Sequence, residues 1–455
     1  MKKMKRLRDR KRIIGLMAAM ALLGSCMACG SKMPQETEKT ENAEPEAGEN
    51  NTAQGAIELE FWLVGTEEDI HYKALPAVCE AFNEANPGIK VNCVVGGASD
   101  DYHKKISLMA DTNSLPDFFE LEAAPGEGFM EGGVVTDITD YMQNDSEWSS
   151  YKCVDGAYDN MLKLQNGKYV GVAINASAAG WFFNKGMFEE KNLQVPDTWD
   201  ELLDAVATFQ DAGITPIAHG ASDLWSVWGY FPMFDQYGIE SMAEEIKDGS
   251  VTWADCMVEP FARIGELAAA GAYPQNTSAM TYAQAMAAFT DGTSPILTTG
   301  SWEAGNFAAM EDEVDFRWGF TGMPDTEFEQ NVGLKGVDWY VYAGSSLKES
   351  DEKLEAGMKF LKYLCSPEAN QILLEHHFTF PAYECADINS IDMDDITRTL
   401  YERLSDDAGS VGYAFTYIDG NLENAHRNSI SGVISGSITP EEAARQMDDN
   451  YRLLK

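Results

Sequence analysis

The chain has 455 residues, with 74 Asp or Glu against 33 Lys or Arg, and its formal net charge at pH 7 is −41. This balance excludes nucleic acid as a partner, because affinity for nucleic acid comes from Lys and Arg that neutralise phosphates. It also argues against adhesion to an anionic membrane surface.

The N-terminus has the three parts of a secretory signal. Residues 1–12 carry eight basic side chains and one acidic one, an apolar run follows at 13–23, and small residues precede Cys26. The run is shorter than the ~20 residues of a membrane span, so an uncleaved anchor is the weaker alternative. The stretch LGSC at 23–26 resembles the lipobox of bacterial lipoproteins. That resemblance implies a signal peptide at 1–25 and lipid attachment at Cys26, with Cys29 as the alternative.

Residues 26–56 predict a disordered acidic linker. From Gly30 onwards they contain no aromatic residue, and Met33 is their only large aliphatic side chain. Such a segment cannot bury enough apolar surface to offset the entropy lost on folding. Removal of the leader, with its eight basic and one acidic residues, changes the formal charge from −41 to −48.

The remaining residues, 57–455, exceed the ~250–300 at which one hydrophobic core usually divides into domains. They contain no CxxC motif, so neither a disulfide scaffold nor a zinc site is indicated. Export permits disulfides, and Cys79 could pair with Cys93, but we expect buried free thiols instead. The cysteines of this part are Cys79, Cys93, Cys153, Cys256, Cys365 and Cys385.

Strands and helices alternate along the start of this part of the chain. Apolar alternation predicts strands at 57–64, 89–95 and 116–121, and helical spacing predicts helices at 72–86 and 102–111. This order favours a parallel sheet with right-handed crossovers. A later helix is predicted at 199–212. Thr198 and Glu201 are spaced as a capping box at its start.

Several segments together resemble extracellular solute-binding proteins of family 1, which includes maltose-binding protein and the sugar-binding lipoproteins of ABC transporters. None is specific alone, but their order extends over nearly all of residues 57–455. They are FNEANPGIKV at 82–91, NGKYVGV at 166–172, WFFNKGMF at 181–188, VPDTWDEL at 195–202, AMAAFTDG at 285–292, LTTGSW at 297–302 and ITPEEA at 438–443.

The resemblance implies an α/β protein with the two-lobe, type II fold of periplasmic binding proteins. The ligand cleft would lie between the lobes, and a hinge would close it. Lobe 1 would comprise 57–172 and 336–384, and lobe 2 would comprise 173–335 and 385–455. The implied function is capture of a carbohydrate outside the cell for delivery to the permease of an ABC importer. The protein would act as a monomer at the outer face of the membrane.

Candidate ligand contacts follow from what a sugar offers, since aromatic rings lie on its C–H faces and polar groups bond its hydroxyls. Trp302 follows the predicted strand at 297–300, and the family commonly presents this Trp to the ligand; packing within its own lobe is the alternative. Asp223 and Trp225 follow the strand that ends near Ala218, and we expect both to face the cleft.

Weaker candidates come from other loops. Asp338 and Trp339 sit at an expected lobe crossing, where hinge packing is an equal alternative to ligand contact. Glu67, Glu120 and Glu122 follow strands, and for each of them a solvated charge is the favoured alternative. Tyr413 belongs to an aromatic cluster that could close the cleft from lobe 2.

No catalytic motif occurs in the sequence: GxSxG, Walker A and HExxH are absent. We therefore expect a binding protein with no cofactor and no metal. A secreted glycosidase remains an alternative, because 74 acids can supply a catalytic carboxylate pair by chance. A surface polysaccharide-binding protein that works without a transporter is another.

Overall fold

The computed structural model describes most of the chain after the acidic linker. The described residues are 55–65, 70–97, 99–222, 225–236, 242–318, 333–337, 339–376, 380–405, 410–411 and 422–454. The predicted signal peptide, the attachment residue Cys26 and nearly all of the linker lie outside these ranges. No helix in the described ranges is both long and apolar enough to span a bilayer.

The described strands fall into two sheets. They are β1 (Ile57–Leu63), β2 (Ile89–Val95), β3 (Phe118–Leu121), β4 (Gly171–Ala173), β5 (Ser177–Asn184), β6 (Ile217–Ala218), β7 (Ile296–Gly300), β8 (Val314–Trp318), β9 (Gly333–Gly336), β10 (Tyr340–Ala343) and β11 (Ser410–Val411). Sheet 1 has the order β2-β1-β3-β10-β4. Sheet 2 has the order β11-β9-β5-β7-β6, with β8 also paired to β5.

Helices surround both sheets. They are α1 (Ile70–Ala85), α2 (Ser99–Asp111), α3 (Phe129–Gly132), α4 (Thr139–Asn144), α5 (Asp159–Leu164), α6 (Lys185–Glu190), α7 (Trp199–Asp211), α8 (Phe231–Gln236), α9 (Ala243–Asp248), α10 (Trp253–Ala269), α11 (Tyr282–Thr290), α12 (Ala304–Phe307), α13 (Asp351–Leu364), α14 (Pro367–Glu375), α15 (Asp395–Ser405), α16 (Leu422–Ile434) and α17 (Pro440–Leu454). The capping box predicted at the start of α7 is present: the Thr198 side chain accepts from the Glu201 amide, and the Glu201 side chain accepts from the Thr198 amide.

The expected parallel sheet is only partly present. Strand β1 pairs in parallel with β2 and β3, as strand–helix–strand units require. Strand β10 instead runs antiparallel to both β3 and β4, so the parallel pairing predicted for the first three strands is confirmed but sheet 1 as a whole is mixed. The reason is that β10 follows β9 of sheet 2. The chain thus enters sheet 1 from the other lobe and not by a local crossover.

Each sheet has its own hydrophobic core, which gives the molecule two lobes. In the first lobe, the Phe360 ring of α13 lies 5.9 Å from Phe61 and 5.0 Å from Phe118, measured between ring centroids. Around sheet 2, Phe182 lies 4.7 Å from both Phe307 and Phe316. Aromatic pairs of this kind contribute ~0.5–1.5 kcal/mol beyond their burial.

Three chain segments run side by side between the two cores. One is 174–176, which joins β4 of sheet 1 to β5 of sheet 2. The second lies between β9 and β10 and includes Trp339, whose carbonyl accepts from the Ile174 amide at 3.1 Å. The third is 380–382. Phe380 packs in the second lobe's core, whereas Ala382 packs in the first.

Candidate functional site

The carboxyl ends of β6 and β7 lie at the same edge of sheet 2, because these strands are parallel. The chain leaves β6 into a 3₁₀ helix, Trp225–Tyr230, and leaves β7 into a second, Ser301–Glu303. The Thr298 hydroxyl of β7 donates to the Ser226 carbonyl at 2.8 Å and so holds the first 3₁₀ helix against β7. Loops at the carboxyl ends of strands are where open α/β sheets bind ligands.

Trp302 lies half-buried at this edge, with its ring over Gly300. A Cβ at Gly300 would be 2.2 Å from the ring, so only glycine leaves room for the indole in this position. The indole Nε1–H donates to the Tyr282 hydroxyl at 3.3 Å. The sequence LTTGSW thus combines a strand end, a glycine that makes space, and the Trp that occupies it.

A buried polar network supports Trp302. The Tyr282 hydroxyl donates to Oε1 of Glu303 at 2.5 Å and lies 2.5 Å from the Thr299 hydroxyl. Burial, and then the charge of Glu303, raise the pKa of Tyr282 well above its usual value. Tyr282 therefore keeps its proton at neutral pH and can act as a hydrogen-bond donor.

A second tryptophan and an arginine extend the cluster. The Trp228 ring meets Trp302 edge to face at 5.9 Å, and the Arg427 guanidinium carbon lies 4.5 Å from the Trp228 ring centroid. Arg427 also forms an ion pair with Glu423, one turn earlier on α16. Guanidinium groups are attracted to the faces of aromatic rings. Arg427 therefore holds α16 against Trp228, and Trp228 in turn contacts Trp302 at the end of β7.

The corresponding edge of sheet 1 carries acids and a histidine. Glu122, just after β3, has Oε2 at 2.7 Å from Nε2 of His103 on α2. The His103 ring stacks on Trp339, with centroids 6.0 Å apart and planes inclined by 8°. The side chains of His103 and Glu122 keep 27% and 34% of their surface exposed, so this group of residues borders solvent.

The two edges are close enough for their charges to interact. Burial raises the pKa of Glu423 in lobe 2, the Arg427 charge opposes that rise, and the negative charge of Glu122 in lobe 1 adds to it. The space between these two edges is bordered by Glu122 and Trp339 on the side of sheet 1 and by Glu423, Trp228 and Trp302 on the side of sheet 2. We call this space the cleft.

The residues predicted to contact the ligand have mixed outcomes. Trp302 and Trp339 both lie at the cleft, half-buried. For Trp225 the structure describes the backbone, which begins the 3₁₀ helix after β6. Four more residues predicted to lie at the site are outside the described residues: Glu67, Asp223, Asp338 and Tyr413.

Glu120 does not extend into solvent from a loop. It is inside β3, fully buried, and its Oε2 accepts from the Val64 amide at 2.8 Å. A solvated charge, the alternative considered for this residue, is therefore excluded. Glu120 joins the carboxyl ends of β3 and β1, which positions the loops at the edge of sheet 1.

Sequence reasoning missed several cleft residues. Trp228 packs half-buried against both the core and Trp302, and Arg427, Tyr282 and His103 were not singled out at all. The Thr residue that caps α11 marks the start of this helix at Tyr282, and this pattern can be recognised in the sequence. Arg427 gave none, because α16 reaches the cleft from a distant part of the sequence. Within the described ranges, no group of three or more His, Cys, Asp or Glu is arranged to hold a metal ion.

Comparisons with known proteins agree with this architecture. A family model for bacterial extracellular solute-binding proteins matches residues 77–394. The multiple sugar-binding protein of Streptococcus mutans is 26% identical over 262 residues, 53% of this chain and 61% of that protein. The sn-glycerol-3-phosphate-binding protein UgpB of Salmonella typhimurium is 22% identical over 324 residues, 65% of this chain and 68% of that protein.

Among solved structures, the apo form of RafE from Streptococcus pneumoniae superposes with a TM-score of 0.68. Its identity is 18%, and the match covers 89% of this chain and 100% of that one. At this low identity the structural similarity shows only that the two-lobe fold is shared. The match to the family model at 77–394 covers well over half of the chain and therefore shows the family. The chain belongs to the family of bacterial extracellular solute-binding proteins.

Proposed function

We propose that this protein is the substrate-binding subunit of an ABC importer that captures a neutral mono- or oligosaccharide outside the cell. It would deliver the sugar unchanged to a membrane permease and would catalyse no reaction. The observation that carries this proposal is the pair of half-buried rings, Trp302 and Trp228, at the carboxyl edge of sheet 2. Their polar neighbours Tyr282 and Glu303 suit the hydroxyls of a sugar.

The charges at the cleft favour a neutral ligand over an anionic one. Among the described residues, Arg427 is a cation that contacts the Trp228 ring, and its charge is paired with that of Glu423. Glu122 lies at the edge of the other lobe and its negative charge acts on Glu423, so the phosphate of a ligand such as the one in UgpB's name would meet two carboxylates here. The names of the Streptococcus mutans relative and of similar proteins point to sugars as well.

The membrane attachment and the lobe assignment are also proposals. Cys26 would carry the lipid after removal of 1–25, and 26–56 would tether a monomer to the outer face of the membrane. Lobe 1 would comprise 57–172 and 336–384, and lobe 2 would comprise 173–335 and 385–455. A ligand that contacts both lobes binds their closed arrangement more tightly and shifts the population toward it.

The first test is a thermal-shift screen of the full chain against neutral oligosaccharides, sugar acids, sugar phosphates and amino acids. A ligand at a hundred times its dissociation constant stabilises the protein by ~2.7 kcal/mol. We expect one group of neutral sugars to raise the melting temperature and to be recovered intact. A shift with sugar phosphates only would refute the neutral-ligand proposal, and recovery of a cleaved sugar would indicate a glycosidase.

Variants then link binding to the cleft. Trp302→Ala should weaken binding of the sugar found in the screen by at least about tenfold, equivalent to ~1.4 kcal/mol. Tyr141→Ala, which removes an exposed aromatic ring from α4, serves as the control and should bind as the wild type does. Equal affinities of the two variants for the sugar would show that the Trp302 ring is not part of the binding site.

A further inference from the structure

A pair of cysteines in the first lobe is held close together by a helix and a strand. Cys79 is on α1 and Cys93 is on β2, and their sulfur atoms are 3.2 Å apart as free thiols. Strand β2 is the edge strand of sheet 1, so its outer side is not covered by another strand of that sheet. Neither cysteine takes part in the cleft described above.

The register between α1 and β2 is fixed beside this pair. The Asn83 side chain donates to the Val91 carbonyl at 3.0 Å and accepts from the Val91 amide at 2.8 Å. Asn83 is one helical turn after Cys79, and Val91 is two residues before Cys93, on the same face of the strand. This two-point contact places the two sulfur atoms opposite one another.

Solvent and small molecules can reach the pair. A surface cavity of about 350 Å³ is lined by Pro76, Cys79, Glu80, Asn83 and Cys93, among others. Cys93 is half-buried, whereas Cys79 is 3% exposed. Cys93 is therefore the more accessible residue of the pair.

We propose that Cys79 and Cys93 form a disulfide when the protein meets a small-molecule disulfide outside the cell. The family is extracellular, and that compartment allows disulfides to persist. The bond would link the edge strand of sheet 1 to the helix that packs on it.

The reaction balances as two thiol–disulfide exchanges. The Cys93 thiolate attacks one sulfur of the small disulfide, forms a mixed disulfide and releases one small thiolate. Cys79 then gives up its proton and attacks the Cys93 sulfur, which forms the Cys79–Cys93 bond and expels the second small thiolate. The protein loses two electrons, and the reagent becomes two thiols that take up the two protons.

Burial, followed by the hydrogen bond with Cys93, raises the pKa of Cys79 well above that of a free thiol. The second exchange is therefore slower than it would be with an unperturbed thiol at Cys79.

The test uses the full chain, reduced and then incubated with oxidised glutathione. Remaining thiols are alkylated, and the protein is digested with trypsin without reduction. Cleavage after Lys73, Lys90 and Lys104 gives residues 74–90 and 91–104, each with one cysteine. We expect these peptides linked, with the mass of the two reduced peptides less two hydrogen atoms. The oxidised protein should also unfold at a higher temperature.

Cys79→Ala and Cys93→Ser should each abolish the linked peptide, and Cys93→Ser keeps the test valid if the buried substitution prevents folding. Cys256→Ser, on α10 in the other lobe, is the matched control and should keep the link. Recovery of both peptides alkylated, of glutathione adducts that persist, or of links to other cysteines would each overturn the proposal.

Discussion

Alanine at Gly300 tests the position of the Trp302 ring at the cleft. A Cβ at this residue would lie 2.2 Å from Cζ3, 2.3 Å from Cη2 and 2.5 Å from Cε3 of the indole. Non-bonded carbon atoms are favourable at ~3.5–4.0 Å, so the ring has to move by more than about 1 Å. The backbone is not the obstacle, because Gly300 has φ −139° and ψ 177°, which alanine adopts readily.

We expect Gly300→Ala to lower the free energy of unfolding by ~1–3 kcal/mol, the usual cost of an overpacked site. In a Trp302→Ala background the ring is gone, and the same substitution should cost less than about 0.5 kcal/mol. The measurement is urea unfolding of the wild type, both single variants and the double variant, followed by circular dichroism.

Gly88→Ala is the matched control, since a Cβ there meets nothing within 4 Å. It should leave the unfolding midpoint within the experimental error in both backgrounds. An equal cost of Gly300→Ala with and without Trp302 would show that the ring does not occupy the space over Gly300. The cleft described here would then be wrong at its central residue.

Burial lowers the pKa of His219 to about 3, whereas a histidine in the unfolded chain titrates at pH ~6.5. The folded state therefore has its full stability above pH ~6.5 and loses stability as the pH falls, because the unfolded chain takes up the proton first. His219→Leu should reduce the fall in unfolding free energy with decreasing pH by up to ~1.4 kcal/mol per pH unit, measured between about pH 7 and pH 5. His376→Leu changes an exposed histidine and should leave this pH dependence as in the wild type. The same pH dependence in both variants would refute the prediction. Asn175→Ala removes the acceptor of the Trp339 amide, 2.9 Å away, and should cost ~1–3 kcal/mol in unfolding experiments. A cost under about 0.5 kcal/mol would show that this bond is dispensable.

The sequence predicted those parts of the fold that depend on neighbouring residues. Strand β2 has the bounds expected from its alternating apolar residues, and α7 begins at the capping box of Thr198 and Glu201. Both features are decided by contacts within a few residues. The direction of β10 was missed because it depends on a chain crossing between lobes, which leaves no local pattern.

The same distinction applies to the cleft. Trp302 could be identified because the strand end, Gly300 and the ring are consecutive in the sequence. Trp228 and Arg427 are in contact but about two hundred positions apart in the sequence, so no local pattern predicts that they meet. Glu120 was misjudged for a related reason: it is buried beside the end of β1, where its carboxylate accepts a hydrogen bond from the Val64 amide.

The three segments side by side between the lobes restrict how the molecule can move. The Ala176 amide donates to the Phe380 carbonyl at 2.7 Å, and the Ile174 amide donates to the Trp339 carbonyl. A rotation of one lobe must therefore change backbone dihedrals in all three segments together, which favours a single axis and resists twisting. Asn175 lies at this axis, where its side chain accepts from the Trp339 amide. A substitution there that favours the open form by ~1.4 kcal/mol would weaken binding about tenfold, although it removes no contact with the ligand.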